Sequence, residues 1–343
     1  MEKSLQDRLF EHVRMQLHPL QNLAVEISEL LQIKLDAAYR RINGTTELKL
    51  SEAQVICDHY GISLDDMIRK KSNSIPFYGF FENIGLQESI KTGFKHLLDV
   101  LEDLEGNPGA EITYLCMEIP FLYLLQVPDL FNFKSYVWEY VDNKDSILPP
   151  FSKLGTSSFP NEFSGLANRL VNSYINVPSI EIIHHSALTA TARQILYFLE
   201  SGKLSCPSDA LILFENLHNL VAHLKNQVTM GKKSRFGSQT EEHLQEKPLQ
   251  FYFNEMLPVQ NTVAIKRNDA QMVYLECNIT DFIWTSEPQF CRQVFRTIEG
   301  IMANSVPISK VSAKERHKYF LQLEAEILAV QRIAEEFLNR GQL

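Results

Sequence analysis

Most of the signatures that would announce an enzyme or a secreted protein are missing from this sequence. Its 343 residues hold no GxGxxG or GxxxxGK(S/T) phosphate loop, no GxSxG nucleophile elbow and no HExxH metal helix. Cysteine is scarce. Cys57, Cys116, Cys206, Cys277 and Cys291 are widely scattered with no CxxC pair, which excludes a disulfide framework and points to reduced thiols in a cytoplasmic protein. Metal ligands in a usable spacing are also lacking. His184 and His185 are adjacent and so diverge in regular structure, and His218 and His223 are five apart, a poor match to one helix face. No cofactor is expected, and nothing in the sequence asks for an enzyme. The most apolar run, 112–127, contains Glu118 and Pro120 and is too short to span a bilayer. The opening Met1-Glu2-Lys3 leads into an amphipathic helix instead of an apolar leader, so no membrane partner is expected. A basic excess is absent too. The net charge is −9, which excludes nonspecific coating of nucleic acid, yet residues 1–71 are near neutral and the acid excess lies beyond them.

Against these absences stands the stretch 27–68. Ile27, Leu30 and Leu31 form an apolar stripe at helical spacing, and Gln32-Ile33-Lys34 interrupts it. A second stripe, Leu35, Ala38, Tyr39 and Ile42, is expected to point inward, with Gly44 closing that helix. A third helix opens at Ser51, with Gln54 at capping-box spacing, carries Ala53, Ile56, Cys57 and Tyr60, and ends at Gly61. Ser63 and Asp66 start a fourth, short one. Ahead of them, residues 4–17 place Leu5, Leu9, Val13 and Leu17 on one face of a first helix.

This pattern resembles the lambda-repressor-like (xenobiotic-response-element type) helix-turn-helix domain of bacterial transcription regulators. Gly44 to Gly61-Ile62-Ser63-Leu64 keeps the family's interval without a gap, with Ala53, Ile56 and Cys57 at core positions. Three positions depart from it: Ser28 replaces the usual small residue, Gln32 the turn glycine, and the late core residue falls one place on, at Ile42. The resemblance covers residues 1–71, and it implies binding of double-stranded DNA by a homodimer. The face opposite the apolar stripe supplies the candidate contacts: Lys34, Asp36, Ala37, Arg40, Arg41, Thr45 and Lys49. Arginine can pair bidentately with a guanine edge or with phosphate, and lysine acts through phosphate. The alternative function is a protein-interaction scaffold that uses the same module for protein contacts.

Residues 72–76 read as a linker and 77–343 as a mostly helical effector or oligomerisation region. Helices are expected near 86–104, 129–141, 162–175, 186–200, 208–229 and 288–303. The run 112–119 fits a buried strand or a helix equally, and 262–266 with 272–278 around Asn268-Asp269-Ala270 forms a plausible hairpin. The fold class expected is therefore mainly α with a small β-hairpin element. Residues 231–247 are polar with two glycines and read as a flexible segment. Asp99, Glu102, Asp103 and Glu105 read as a solvated helix face. Phe77-Tyr78, Phe80-Phe81 and Phe131, Phe133, Tyr136, Trp138, Tyr140 fit either helical core or the pocket of a small-molecule effector. A terminal helix from a Ser312–Glu315 capping box to about Asn339 carries Phe320, Leu323, Ile327, Val330, Ala334 and Phe337 at coiled-coil spacing. That seam fits a dimerisation helix or one docked on its own domain.

Overall fold

A computed structural model describes residues 4–16, 22–64, 75–79, 86–142, 148–152, 161–184, 186–237, 248–255, 260–277 and 281–340. They belong to two compact units, Met1–Pro76 and Phe77–Leu343.

The first unit is helical: α1 (Leu5–Gln16), α2 (Leu23–Leu30), α3 (Leu35–Ile42) and α4 (Leu50–Tyr60). Leu9, Phe10 and Val13 of α1 meet Ile27, Ala38, Ile56 and Cys57 in a single small core. Asn22 opens α2 by accepting the Ala24 N–H at 2.9 Å, the local bond that gives asparagine its preference for this position. Gln32 adopts φ 53° in the turn between α2 and α3, a left-handed conformation that disfavours side chains with a Cβ. Gly61 ends α4 at φ 62°, where glycine carries no such penalty. Helix α4 starts earlier than the Ser51–Gln54 spacing suggests. Lys49 is its first flanking residue, and the Glu52 carboxylate accepts the Lys49 N–H at 3.1 Å. The fourth helix expected from Ser63 and Asp66 lies outside the described residues, as does Leu17.

In the second unit the expectation of a mainly helical fold with a small hairpin is overturned. Over all the described residues helix predominates, at 59% against 15% strand, but the strands of this unit form one eight-stranded mixed sheet. They are β1 (Tyr78–Gly79), β2 (Glu111–Cys116), β3 (Ser179–His184), β4 (Leu249–Asn254), β5 (Thr262–Arg267), β6 (Ala270–Glu276), β7 (Phe282–Thr285) and β8 (Val306–Pro307). The order is β1-β7-β6-β5-β2-β3-β4-β8, with β2-β3-β4 parallel and the flanking pairs antiparallel. The expected hairpin is the β5–β6 pair, turned at Asn268 with φ 52°.

Parallel neighbours need a crossover. Between β2 and β3 lie α6 (Phe121–Leu124), α7 (Pro128–Asp142) and α8 (Asn161–Ile175); between β3 and β4 lie α9 (Thr189–Glu200) and α10 (Asp209–Met230). With α5 (Leu86–Glu105) and α12 (Ala313–Arg340), these helices build the main core on one face of the sheet. On the other face α11 (Pro288–Ala303) sets Cys291 and Ile298 against Leu115, Ile182, Ala264 and Val273. The central strands are thus covered on both sides, so burial along them does not alternate, and even Thr113, Ser179 and Glu181 are buried.

Helix α12 docks on its own unit. Phe320, Leu323, Ile327 and Ala334 are buried in the main core against α9 and α10, and only Phe337 of the seam lies exposed. Lys225 to Glu324 at 3.0 Å and His218 to Gln331 at 2.8 Å tie α10 to it. Ser312 precedes α12 at φ 55°, outside the extended conformation that a capping box uses. The segment expected to be flexible is anchored over its described part, 231–237. Lys233 is buried, and its ammonium donates to the Tyr174 and Val177 carbonyls at 2.6 and 2.5 Å. The face of α5 expected to be solvated is so: Asp99, Glu102, Asp103 and Glu105 are exposed, with Glu102 paired to Arg169 and Asp103 to Arg267 at the surface. Among the described residues no helix is long and apolar enough to cross a membrane.

Candidate nucleic-acid interface and an interior cavity

Helices α2 and α3 of the first unit are joined through Leu31–Lys34, and Ile33 N–H returns to the Ser28 carbonyl at 3.0 Å. Helix α3 is two turns long, and only Ala38 on it is fully buried. Each residue turns the helix by ~100°, so the row through Ala38 takes Ile42 and Arg41 with it and sends other residues outward. Leu35 is 45% and Tyr39 44% exposed, contrary to the inward stripe expected for them. The outer face consists of Asp36, Tyr39, Arg40 and Asn43, with exposed Lys34 at the helix start and exposed Thr45 and Lys49 in the following loop and its end. Arg40 and Asp36 pair loosely at 3.4 Å, both well exposed.

Arg41 does not belong to that face. Its guanidinium meets Glu52 of α4 through two bonds, Nε to Oε2 at 2.9 Å and Nη2 to Oε1 at 2.8 Å, and Nη1 donates to the Ala37 carbonyl at 3.1 Å. The two side chains are only 12% and 16% exposed. The arginine's hydrogen bonds hold the Glu52 carboxyl below its ordinary range, and Glu52 raises Arg41 in return. Ala37 is half-buried beside the pair. The loop after α3 is fixed from α1: Gln6 donates to the Arg41 and Thr46 carbonyls at 2.6 and 2.9 Å and accepts the Leu48 N–H at 2.9 Å. These bonds tie down the backbone of the loop that carries Thr45 and leads to Lys49. Of the seven expected contacts, the outer surface therefore gathers Lys34, Asp36, Arg40, Thr45 and Lys49.

In the second unit a cavity of about 530 Å³ opens between the sheet and α5 and α7, a size ordinary for small-molecule sites. Strand register builds its floor. Tyr114, Val263, Tyr274 and Trp284 lie side by side across β2, β5, β6 and β7. His96 of α5 stacks on Trp284 with ring centroids 4.6 Å apart and sits 3.1 Å from the Tyr274 hydroxyl. Burial holds the His96 imidazole below its ordinary pKa, against the pull of Asp99, and pushes the Tyr274 hydroxyl well up. Phe94 and Phe121 stack at 4.9 Å along another wall.

One end of this cavity is polar. Lys134, 2% exposed, donates to Glu118 at 2.6 Å and to Gln194 at 2.8 Å. Asn261 accepts the Met117 N–H at 2.7 Å and donates to Glu276 at 2.8 Å, fixing that carboxyl at the end of β6. Burial and the nearby Glu118 raise the Glu276 carboxyl, while Asn261 and Lys134 lower it. Of the aromatic residues singled out in the sequence, Trp138 lines the cavity, whereas Phe131, Phe133 and Tyr136 are core. Sequence reasoning missed His96, Glu118, Lys134, Asn261 and Glu276. The readable signal was charge inside apolar surroundings: Lys134 within FNFKSYVWEY and Glu118 within the apolar run after β2.

Among the described residues no three His, Cys, Asp or Glu side chains converge as a metal site requires. Compared with known families, curated proteins and solved structures, the chain finds no match.

Proposed function

We propose that the chain is a sequence-specific DNA-binding transcription regulator, with the first unit reading DNA and the second sensing or assembling. The observation that carries this reading is the α2–turn–α3 pair with the outer face of α3 left open and bordered by Lys34, Arg40 and Lys49. A short helix supported from behind by a second helix can enter a major groove with its N-terminal residues against base edges. Arg40 is the base-reading candidate, and Lys34 and Lys49 hold phosphates. Asp36 competes for Arg40 in the free protein, which raises the contrast between sites that satisfy Arg40 and those that do not. A single module of this size binds weakly, so the working form is a homodimer on a palindrome with half-sites ~34 Å apart.

The test is selection of a duplex from a random pool by the full chain, followed by titration at several salt concentrations. The reading expects a defined motif bound at least ~10³-fold more tightly than random duplex. A shallow slope of affinity against salt follows from the few basic contacts. Exposed Leu35, Tyr39 and Leu50 favour a second reading, in which the module grips another protein. Failure to select any motif would favour that alternative.

A further inference from the structure

The cavity of the second unit has a balance of charge that selects among ligands. Lys134 is compensated by Glu118 and Gln194, and Asp281 accepts the Ser89 hydroxyl at 2.8 Å. Glu276 has a neutral amide, Asn261, holding one of its oxygens, and no cation in hydrogen-bond contact among the described residues. Burial also disfavours a charged His96 imidazole, against the pull of Asp99. The aromatic faces of Tyr274 and Trp284 continue along the sheet from the strand position of Glu276, two residues beyond Tyr274 on the same face. A carboxylate beside aromatic faces favours a cation, through charge-assisted hydrogen bonding and cation–π attraction.

Gly93 adds an independent observation. It lies inside the 20-residue helix α5, where glycine costs ~1 kcal/mol relative to alanine. A Cβ placed on it would meet nothing within 4 Å, and the residue lines the cavity. The helix thus gives up local stability at the point where a side chain would fill the cavity.

From these residues we infer that the cavity binds a small organic cation, an apolar or aromatic body carrying one protonated nitrogen, with that nitrogen seated on Glu276. The aromatic wall of His96, Tyr274 and Trp284 holds the body. An anionic ligand would have to displace Glu118 from Lys134 and approach Glu276.

The chain has two tryptophans, and both Trp138 and Trp284 line this cavity, so intrinsic fluorescence of the full-length protein reads occupancy directly. The probes are 4-phenylbutylamine, 4-phenylbutan-1-ol and 4-phenylbutyrate, three headgroups on one body. The amine should give a saturable change in emission with a Kd about tenfold or more below that of the alcohol, and the acid should bind most weakly. Glu276→Gln, which preserves an acceptor for Asn261, should bring the amine level with the alcohol and leave alcohol binding unchanged. Gly93→Leu should fold at least as well as the parent and bind neither. No saturable response to the amine, tighter binding of the acid, or a preference for the amine that survives in Glu276→Gln would each overturn the inference. Undiminished amine binding by Gly93→Leu would do the same, and it keeps the test decisive if Glu276→Gln fails to fold. No DNA enters the measurement, so its outcome is separate from the DNA-binding reading.

Discussion

Arg41 and Glu52 face each other as a two-bond ion pair that fastens α3 to α4, and this separates two neighbouring arginines into different roles. Arg41→Ala should lower the stability of the first unit by about 1.5–3 kcal/mol, the range for hydrogen bonds to charged groups. Arg40→Ala should leave stability within ~0.5 kcal/mol, since its pair with Asp36 is exposed, and should cost ~1–3 kcal/mol in binding a selected duplex. Thermal denaturation and duplex titration of both variants check this. Equal loss of DNA binding at unchanged melting temperature would return Arg41 to the contact face.

Deeper, in the second unit, Lys233 closes the 231–237 segment onto the core near the buried Glu181 carboxylate. Glu181 on β3 accepts from Tyr123 at 2.9 and 2.8 Å, from Ser179 at 3.2 Å and from Tyr174. Lys233 lies over the Tyr174 ring, 3.7 Å from its centroid, and burial lowers its ammonium to about 7 while Glu181 draws it back up. Burial raises Glu181, and Lys233 with the three hydroxyls opposes that. Lys233→Met leaves a buried carboxylate without its cation and should destabilise by ~3–5 kcal/mol. Combined with Glu181→Gln, the loss should fall short of the sum of the single losses by ~0.5–3 kcal/mol, measured by urea denaturation. Additive losses would mean that Lys233 acts only through the two carbonyls.

The pattern of success and failure in the sequence has physical causes. The β5–β6 hairpin was legible because its turn sits between two strand-like runs, whereas β3 (SIEIIH) was missed because its polar Ser179 and Glu181 point into the interior, where Tyr123 and Tyr174 satisfy the carboxylate. The 3-4 spacing from Phe320 to Phe337 is the same for a helix on a second copy and one on its own core, so spacing alone left that choice open. On α3 the apolar residues outnumber the inward positions of a two-turn helix, and Ala38 takes the one fully buried place. Arg41 could have been recognised only by knowing that Glu52 lies opposite, a tertiary fact. The cavity shows in the sequence as isolated charges among apolar residues, and it takes the fold to bring Glu118, Lys134 and Glu276 to one end.

Two half-buried histidines give a pH signature. His96 and His223 both have pKa values lowered by burial; for His223, a bond with the Ser234 carbonyl at 3.2 Å acts against that. In the unfolded chain both protonate near ~6.5, and in the folded chain they resist. As pH falls below that value the unfolded state binds more protons, so their contribution to stability is lost. Glu111, Glu181 and Glu276, whose carboxyls are raised, act in the opposite sense, which calls for a difference measurement. The parent should lose stability relative to a His96→Gln, His223→Gln double variant between pH 7.5 and 5.5. An unchanged difference over that interval would contradict the burial assigned to both rings.

The terminal helix makes the sharpest stability prediction, because its two faces differ so strongly. Phe320, Leu323 and Ile327 are buried against α9 and α10, whereas Leu321 and Leu328 are exposed one position away on the same helix. Burying each large side chain contributes ~1.5–3 kcal/mol, so a charge at Ile327 removes that and adds an unpaired buried carboxylate. Ile327→Asp should unfold the second unit or leave it aggregated at room temperature. Leu321→Asp and Leu328→Asp should change stability by no more than ~0.5 kcal/mol. Truncation before Ser312 should strip the cover from α9 and α10 and yield insoluble protein, observed by sedimentation and by dye binding to exposed apolar surface. A truncated chain that stays soluble, folded and monomeric would mean that α12 is dispensable to its own core, and the seam would then belong to an interface between copies.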